Sequence, residues 1–344
     1  MKINAFSHDL FESISEQKIH HWVGLAVELA REAYENNNAE ARAYVERLIF
    51  RINADHSFAA PLSSPVGLVW NILMKAKLTA SITPYLNNGC RRLEDLQALL
   101  REAVIKTDRE DHTWIDEILE ESPYDHNFVV YTKNWFITAY GFCHQLISLA
   151  QHTNVKVERV VLSNVSDELQ GTDHATQRSR FFKSICGRPF DSLQALEDPD
   201  TLTEAFALSN YRTGVCALPV PSYALGSFYS VEVAYVPSCE RLLRGLNKHA
   251  FGDQDILDYV SGHGVLDSQH SEEWVDAIRA ADLTEQDYEC VTAGALAQLE
   301  LRHRWFEAMR AAAKSAASLK PASLGFPSSF QVDNFDFNRL GDSI

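Results

Sequence analysis

Apolar residues recur every three or four positions over most of this chain. Residues 20–35, 40–52 and 93–105 each show that spacing, which places the apolar side chains along one face of a helix. Pro61 and Pro65 fall between the second and third of these runs and predict breaks there. The pattern therefore predicts an all-α protein.

The segment 127–151 is largely apolar and predicts a single long helix. It follows a turn signal, ESPYDHN, which marks the start of a second domain. At 344 residues and 46% hydrophobic content, the chain is long enough for two domains. We predict an N-terminal helical domain at residues 1–122, a second helical domain at 123–319 and an irregular tail at 320–344.

The charge balance and the cysteine pattern exclude several classes of function. A formal net charge of −16 disfavours nucleic acid and anionic membranes as partners, so we expect a small-molecule partner. No apolar run approaches the roughly 20 residues needed to span a bilayer. The N-terminal residues lack a signal-peptide pattern, so we expect a cytoplasmic protein. The six cysteines form no CxxC pair, so neither a zinc knuckle nor a redox dithiol is indicated.

Residues 259–274 carry the strongest chemical signal in the chain. His263, Asp267 and His270 lie at offsets of 0, 4 and 7. On an α-helix, at about 100° per residue, these positions fall within roughly 60° of one another. Imidazoles and a carboxylate on one stripe suit a first-row transition metal. A solvated helix face is the alternative interpretation, and donors elsewhere in the chain favour the metal site.

A carboxylate in an apolar helix supplies one such donor. Glu232 lies in the middle of the apolar run 223–246, between Val231 and Val233. A buried carboxylate is costly unless it is paired or binds a metal, so we favour metal ligation over a structural ion pair. Pro237 removes a helical hydrogen bond and is expected to kink or end that helix near the site.

Two acids and a histidine lie on either side of a glycine further upstream. On an unbroken helix Asp167 would face His174, whereas Glu168 would diverge from it by about 120°. Gly171 can distort the turn and bring Glu168 round. We predict Glu168 and His174 as ligands, with Asp167 open as the alternative to Glu168.

These segments together supply three imidazoles and three carboxylates. That mixed nitrogen and oxygen set is typical of two iron ions rather than of a sulfur-rich zinc site, and it predicts dioxygen as co-substrate. Glu300 and His303 form a lone ExxH pair, where a ferritin-type bundle needs two, so we interpret both as packing or surface residues. The candidate ligands are Glu168, His174, Glu232, His263, Asp267 and His270.

Three motifs give the chain a resemblance to a known family. They are DELQGTDH, ALGSFYSVEVAYVP and HGVLDSQH, in that order, within about residues 124–318. With them the chain resembles the heme-oxygenase-like di-iron oxidases, which are seven-helix proteins related in fold to heme oxygenase and to the TenA and PqqC enzymes. The resemblance implies a heme-oxygenase-like seven-helix bundle in which the six candidate residues bind two iron ions. Some members carry a helical N-terminal dimerisation domain similar to residues 1–122, which implies a homodimer.

The resemblance also implies oxidation of a small, amino-acid-derived metabolite in specialised metabolism. Similar enzymes catalyse N-oxygenation, desaturation or oxidative C–C cleavage, and an external electron donor is a candidate partner. Arg178, Arg180 and Lys183 follow His174 and are candidates to bind a substrate carboxylate. Two other classes stay open: a metal-independent enzyme of the same fold, as in the TenA and PqqC relatives, and a non-catalytic helical interaction protein.

Overall fold

The computed structural model describes residues 16–56, 64–120, 123, 125–169 and 172–318. Every regular element within them is helical, which confirms the all-α class. The tail predicted at 320–344 lies outside the described residues.

The described residues form thirteen α-helices, with a short π-helix at Arg31–Glu35 and a 3₁₀ helix at Thr83–Tyr85. In chain order they are α1 (Glu16–Ala30), α2 (Ala39–Asp55), α3 (Pro65–Ile82), α4 (Leu93–Glu120), α5 (His126–Ala139), α6 (Phe142–Ala150), α7 (Val155–Leu169), α8 (Thr172–Cys186), α9 (Ser192–Glu197), α10 (Thr203–Cys216), α11 (Ser222–Lys248), α12 (Gln254–Ala280) and α13 (Glu285–Ser318).

Pro65 begins a helix as well as marking a break. The Ser64 hydroxyl accepts a hydrogen bond from the backbone N–H of Gly67 at 3.1 Å and caps α3. Pro65 occupies the first turn, where its missing N–H would have had no helical partner.

The prediction of one long helix over 127–151 is wrong, because the chain breaks between α5 and α6. Tyr140 takes an extended conformation with ψ of 129°, and Gly141 takes a left-handed one with φ of 80°, so α5 ends there and α6 begins after them. The split helix and the six-residue α9 account for nine helices between His126 and Ser318 where a seven-helix bundle was expected.

Sequence periodicity did not indicate α10, and the structure explains why. Every residue from Ala205 to Cys216 is buried, so the helix has no polar face to produce an amphipathic pattern. It packs against α2 and α3 on the N-terminal side and against α5, α6, α11 and α13 in the rest of the fold.

A buried polar network joins α10 to the N-terminal helices. The Lys77 ammonium lies 2.6 Å from a Glu46 carboxylate oxygen, and both side chains are 1% exposed. Asn210 of α10 donates to the other Glu46 oxygen at 2.9 Å and accepts from Asn53 at 2.9 Å. The Trp70 indole donates to Asn53 at 2.7 Å. The buried charges are therefore paired and hydrogen-bonded, as burial requires.

One apolar core runs through the described part of the chain. It extends without a break from Trp22 in α1 to Met309 in α13. The N-terminal helices thus share their core with the helices that follow, and the division at residue 122 stays a prediction. Among the described residues, no helix combines the length and the apolar character needed to cross a membrane.

Helix α11 lies against α4, α12 and α13 and approaches α13 through two glycines. A Cβ atom added at Gly226 would overlap the carbonyl oxygen of Val291 on α13. A Cβ added at Gly294 would likewise overlap the carbonyl oxygen of Tyr223 on α11. The two backbones are therefore in direct contact, one helical turn and a half before Glu232.

Pro237 does not end α11, which continues to Lys248. The buried Arg302 guanidinium of α13 donates to the Ala234 carbonyl at 3.3 Å and to the Ser238 hydroxyl at 2.6 Å. These bonds brace the turn in which Pro237 removes a backbone donor.

We expect Gly226→Ala to destabilise the protein by about 1–3 kcal/mol, because the added methyl group forces α11 and α13 apart. Gly24→Ala is the matched control, since nothing lies within 4 Å of a Cβ at that position of α1. There the substitution should stabilise by up to about 1 kcal/mol through higher helix propensity. Urea unfolding followed by circular dichroism measures both changes, and equal stabilities for the two variants would contradict the close contact.

Candidate metal centre

A small cavity lies among seven helices of the C-terminal part of the chain. Its walls come from α5 to α8 and from α10 to α12, and its volume is about 50 Å³. That space holds about three or four water-sized molecules. Trp135, Phe142 and Tyr259 form apolar walls, and four of the predicted or alternative ligand positions contribute acids and an imidazole.

Helix α11 brings Glu232 into this cavity from a buried position. The side chain is only 3% exposed, as its apolar neighbours in the sequence predicted. Burial raises the pKa of the Glu232 carboxyl, the neighbouring His270 opposes that rise and the charge of Glu168 adds to it. The site therefore resists the charged form of this acid unless a cation compensates.

Helix α12 presents His263, Asp267 and His270 along the stripe predicted from their spacing. Asp267 and His270 are buried at 3% and 1% exposure. His263 lines the cavity with Asp267, and its ring lies 5.0 Å from that of Tyr259. Burial lowers the pKa of His263 to about 4, which keeps its imidazole neutral near neutral pH.

His270 lies between two acids without hydrogen-bonding to either. Its Nδ1 is 3.7 Å from Glu232 Oε2, and its Nε2 is 3.5 Å from Asp167 Oδ2. Both nitrogens are fully buried and make no hydrogen bond within the described residues. Buried polar atoms normally have partners, so this spacing fits a histidine whose partner is a metal ion.

The acids also set the protonation of His270. Although burial by itself lowers the pKa of this imidazole, Glu232, Glu168 and Glu273 together raise it to about 9. For Asp267, burial comes first and the charges of Glu232 and Glu168 follow, and together they raise its pKa well above the ordinary value. Without a metal, a protonated His270 is thus the cation that balances this cluster.

Two groups of three donors meet at His270. Glu232, Asp267 and His270 form one group, in which the ligand atoms lie within 4.8 Å of one another. Asp167, His270 and Glu273 form the other by the same measure. One imidazole and two carboxylates in each group match the donor set expected of iron, so the residues present fit the predicted metal.

The sequence analysis missed Glu273. It follows His270 by three residues on α12, which places the two side chains on neighbouring positions of one face. Asn164 of α7 donates to Glu273 at 2.6 Å and Gln269 donates at 2.8 Å, so its carboxylate is held in a fixed orientation. The i,i+3 spacing from His270 was the available signal.

The structure places both Asp167 and Glu168, the two alternatives for the first ligand, near the other candidate ligands. Asp167 faces His270, whereas Glu168 lines the cavity beside Glu232 and Asp267. Both residues lie in the last turn of α7, where successive side chains point about 100° apart. His174 belongs to α8, but its side chain lies outside the described residues.

The three basic residues predicted near the substrate separate into different environments. Arg178 lines the cavity. Arg180 instead forms an exposed ion pair with Asp255, and Lys183 is exposed. A second arginine, Arg212 of α10, also lines the cavity, and no sequence pattern indicated it.

Comparison with known proteins explains this arrangement. Residues 129–303 match the family model described as iron-containing redox enzyme, and the match includes every predicted ligand. The chain belongs to this family of iron-containing redox enzymes. Membership confirms the heme-oxygenase-like resemblance and shows that the chain is an oxidoreductase.

Other comparisons add less. A solved structure from Shewanella denitrificans OS217, described as a domain of unknown function with a heme oxygenase-like fold, is 18% identical in sequence. The match covers 64% of this chain and 98% of that chain, with a TM-score of 0.47. No curated protein matches the sequence.

In metal-free protein at pH 7 we expect Asp267→Asn to stabilise the fold by roughly 0.5–2 kcal/mol, because it removes an acid from a site that destabilises the unoccupied fold. The folded pKa of Asp267 is raised, so its penalty is absent at low pH and appears as the pH rises through that value. The gain from the substitution should therefore shrink as the pH falls.

Urea unfolding in the presence of a chelator, at several pH values, measures this difference. Asp276→Asn is the matched control on the same helix, since its side chain is 70% exposed and pairs with Arg279. Its effect should stay within about 0.5 kcal/mol. A loss of stability in metal-free Asp267→Asn would contradict the electrostatic account.

Proposed function

We propose that this chain is a non-heme di-iron oxidoreductase that uses dioxygen to oxidise a small metabolite. The observation that supports it best is His270, which is fully buried between Glu232 and Asp167 although neither of its ring nitrogens makes a hydrogen bond within the described residues. Family membership supports the assignment of iron and redox chemistry. The two donor groups support binding of iron by side chains instead of by a heme.

The donor set favours bare iron ions over a heme. The two donor groups around His270 are rich in carboxylate oxygens, and imidazole nitrogens add to them, which suits iron with open coordination positions. Heme iron takes one axial histidine and leaves no role for a cluster of buried acids.

In this proposal, residues of this chain hold the ions and surround them with apolar walls. One proposed ion is held by Glu232, Asp267 and His270. The ligands proposed for the other ion are Asp167 or Glu168, Glu273, His174 and His263. Iron bound there supplies electrons for the reduction of dioxygen. His270 gives up a proton when a metal binds, because only the neutral imidazole coordinates. Trp135, Phe142 and Tyr259 give the cavity apolar walls.

The substrate, the electron donor and the assembly are further parts of the proposal. We propose a small, amino-acid-derived substrate, oxidised by N-oxygenation, desaturation or oxidative C–C cleavage, with an external electron donor. The small cavity and the basic lining residue Arg178 support a compact molecule with a negative group. A homodimer formed through residues 1–122 stays a prediction.

An anaerobic titration with ferrous iron, followed by mixing with dioxygen, tests the proposal. We expect two iron ions per chain, dioxygen consumption on mixing, and loss of both in His263→Ala and Glu232→Ala. Glu300→Ala and His303→Ala serve as controls, because Glu300 pairs with Arg304 at 2.7 Å and neither residue lines the cavity. Iron analysis and an oxygen electrode give the two measurements.

Absence of iron uptake in the wild-type protein would overturn the proposal. Uptake that His263→Ala and Glu232→Ala leave unchanged would overturn it too. Either result would favour a metal-independent enzyme or an interaction protein of the same fold.

A second prediction concerns the acid that the sequence did not indicate. Glu273→Gln should lower the bound iron by up to one ion per chain, because it removes a carboxylate that faces His270 and Asp167. Glu272→Gln is the matched control, since Glu272 is the neighbouring residue and its side chain is exposed. Iron content and the retained helical circular dichroism distinguish ligand loss from misfolding. Equal iron content in the two variants would remove Glu273 from the ligand set.

A further inference from the structure

Arg212 is the most deeply buried cation of the cavity. The side chain is 1% exposed and lies on α10, which is buried on all sides. Its Nε donates to Gln145 Oε1 at 3.2 Å, and its Nη2 donates to the carbonyl oxygen of Thr138. Its Cζ lies 5.7 Å from the centre of the Phe142 ring. These contacts fix the plane of the guanidinium.

The partners of Arg212 are themselves held in place. Gln145 donates through Nε2 to the Ser209 carbonyl at 3.2 Å and to the Thr213 hydroxyl at 3.0 Å. The Gln145 oxygen therefore has one orientation, and it directs the Arg212 fork. A preorganised group of this kind loses little conformational entropy when it binds a ligand.

One nitrogen of Arg212 is left for a ligand. Within the described residues, Nη1 makes no hydrogen bond, and no acid forms an ion pair with the guanidinium. The side chain lines the cavity together with Glu232 and His263. A guanidinium stays charged in proteins, and burying it without an anionic partner is costly.

The carboxylates in the same cavity have another role. Glu232 and Asp267 belong to a group of metal donors around His270, so a bound metal takes their charge. Arg178 of α8 adds a second guanidinium to the cavity wall. The cavity thus combines metal donors from α7, α11 and α12 with two cations from α8 and α10.

We propose that Arg212, together with Arg178, binds a carboxylate group of the substrate and so directs the rest of the molecule toward the metal donors. The planar guanidinium suits a planar carboxylate, and the small cavity suits a short carbon chain. Both the anion site and the direction of the substrate rest on the proposed function, because a bound metal takes the charge of the acids that share the cavity with the two arginines. The competing role for Arg212 is structural, because its bond to Thr138 caps the last turn of α5.

Calorimetric titration of anaerobic, ferrous-loaded protein with propionate tests the proposal, and propionamide serves as the neutral probe of the same shape. We expect propionate to bind more tightly than propionamide. Arg212→Gln and Arg178→Gln should each weaken propionate binding by roughly ten- to a hundredfold, since each removes a hydrogen bond to a charged group. Iron content should stay unchanged in both variants.

Arg180→Gln is the matched control, because Arg180 pairs with Asp255 outside the cavity, and it should bind propionate as the wild type does. Equal propionate binding in wild type, Arg212→Gln and Arg178→Gln would overturn the proposal. Propionate binding no tighter than propionamide binding would also overturn it. If Arg212→Gln loses its helical signal, Arg212→Lys and Arg178→Gln decide the question.

The outcome separates this inference from the proposed function. A wild-type protein that takes up no iron removes the di-iron proposal. Iron-loaded protein that does not bind propionate removes the anion site and leaves the di-iron proposal standing, because iron content is measured separately from propionate binding.

Discussion

The backbone contact between α11 and α13 is the constraint on which the site depends. Gly226 and Gly294 let the two helices approach so closely that a single methyl group would separate them. That approach fixes the rotation of α11 and directs Glu232 inward toward α12, where Asp267 and His270 lie. The positions of the metal donors therefore follow from two residues that have no side chains of their own.

The electrostatics of the site run against the stability of the empty fold. Burial raises the pKa of both Glu232 and Asp267, and the acids around His270 raise the pKa of that imidazole in turn. Each shift reports a charge that the low-dielectric interior tolerates only with compensation. A site of this kind is stabilised by what it binds, as is common where a protein retains unfavourable groups for function.

Much of this arrangement could be predicted from the sequence, and the rest depends on packing between distant segments. The stripe on α12 follows from helical geometry, and Glu232 from its apolar surroundings. The role of Arg212 could not be predicted, because α10 is buried on all sides and its sequence shows no alternation of apolar and polar faces. The break between α5 and α6 depends on the backbone conformations of Tyr140 and Gly141, which the apolar run around them does not indicate. Asp167 and Glu168 are adjacent in the last turn of α7, and both reach the site because one faces His270 and the other lines the cavity.

Helix α10 ties the N-terminal half of the chain to the interior of the site. Asn210 hydrogen-bonds to Glu46 and Asn53 of α2. Arg212, two residues later on the same helix, lines the cavity. A helix whose residues are buried on every side cannot rotate or slide without disturbing both sets of contacts. Any partner or substitution that displaces the N-terminal helices will therefore also change the shape of the cavity.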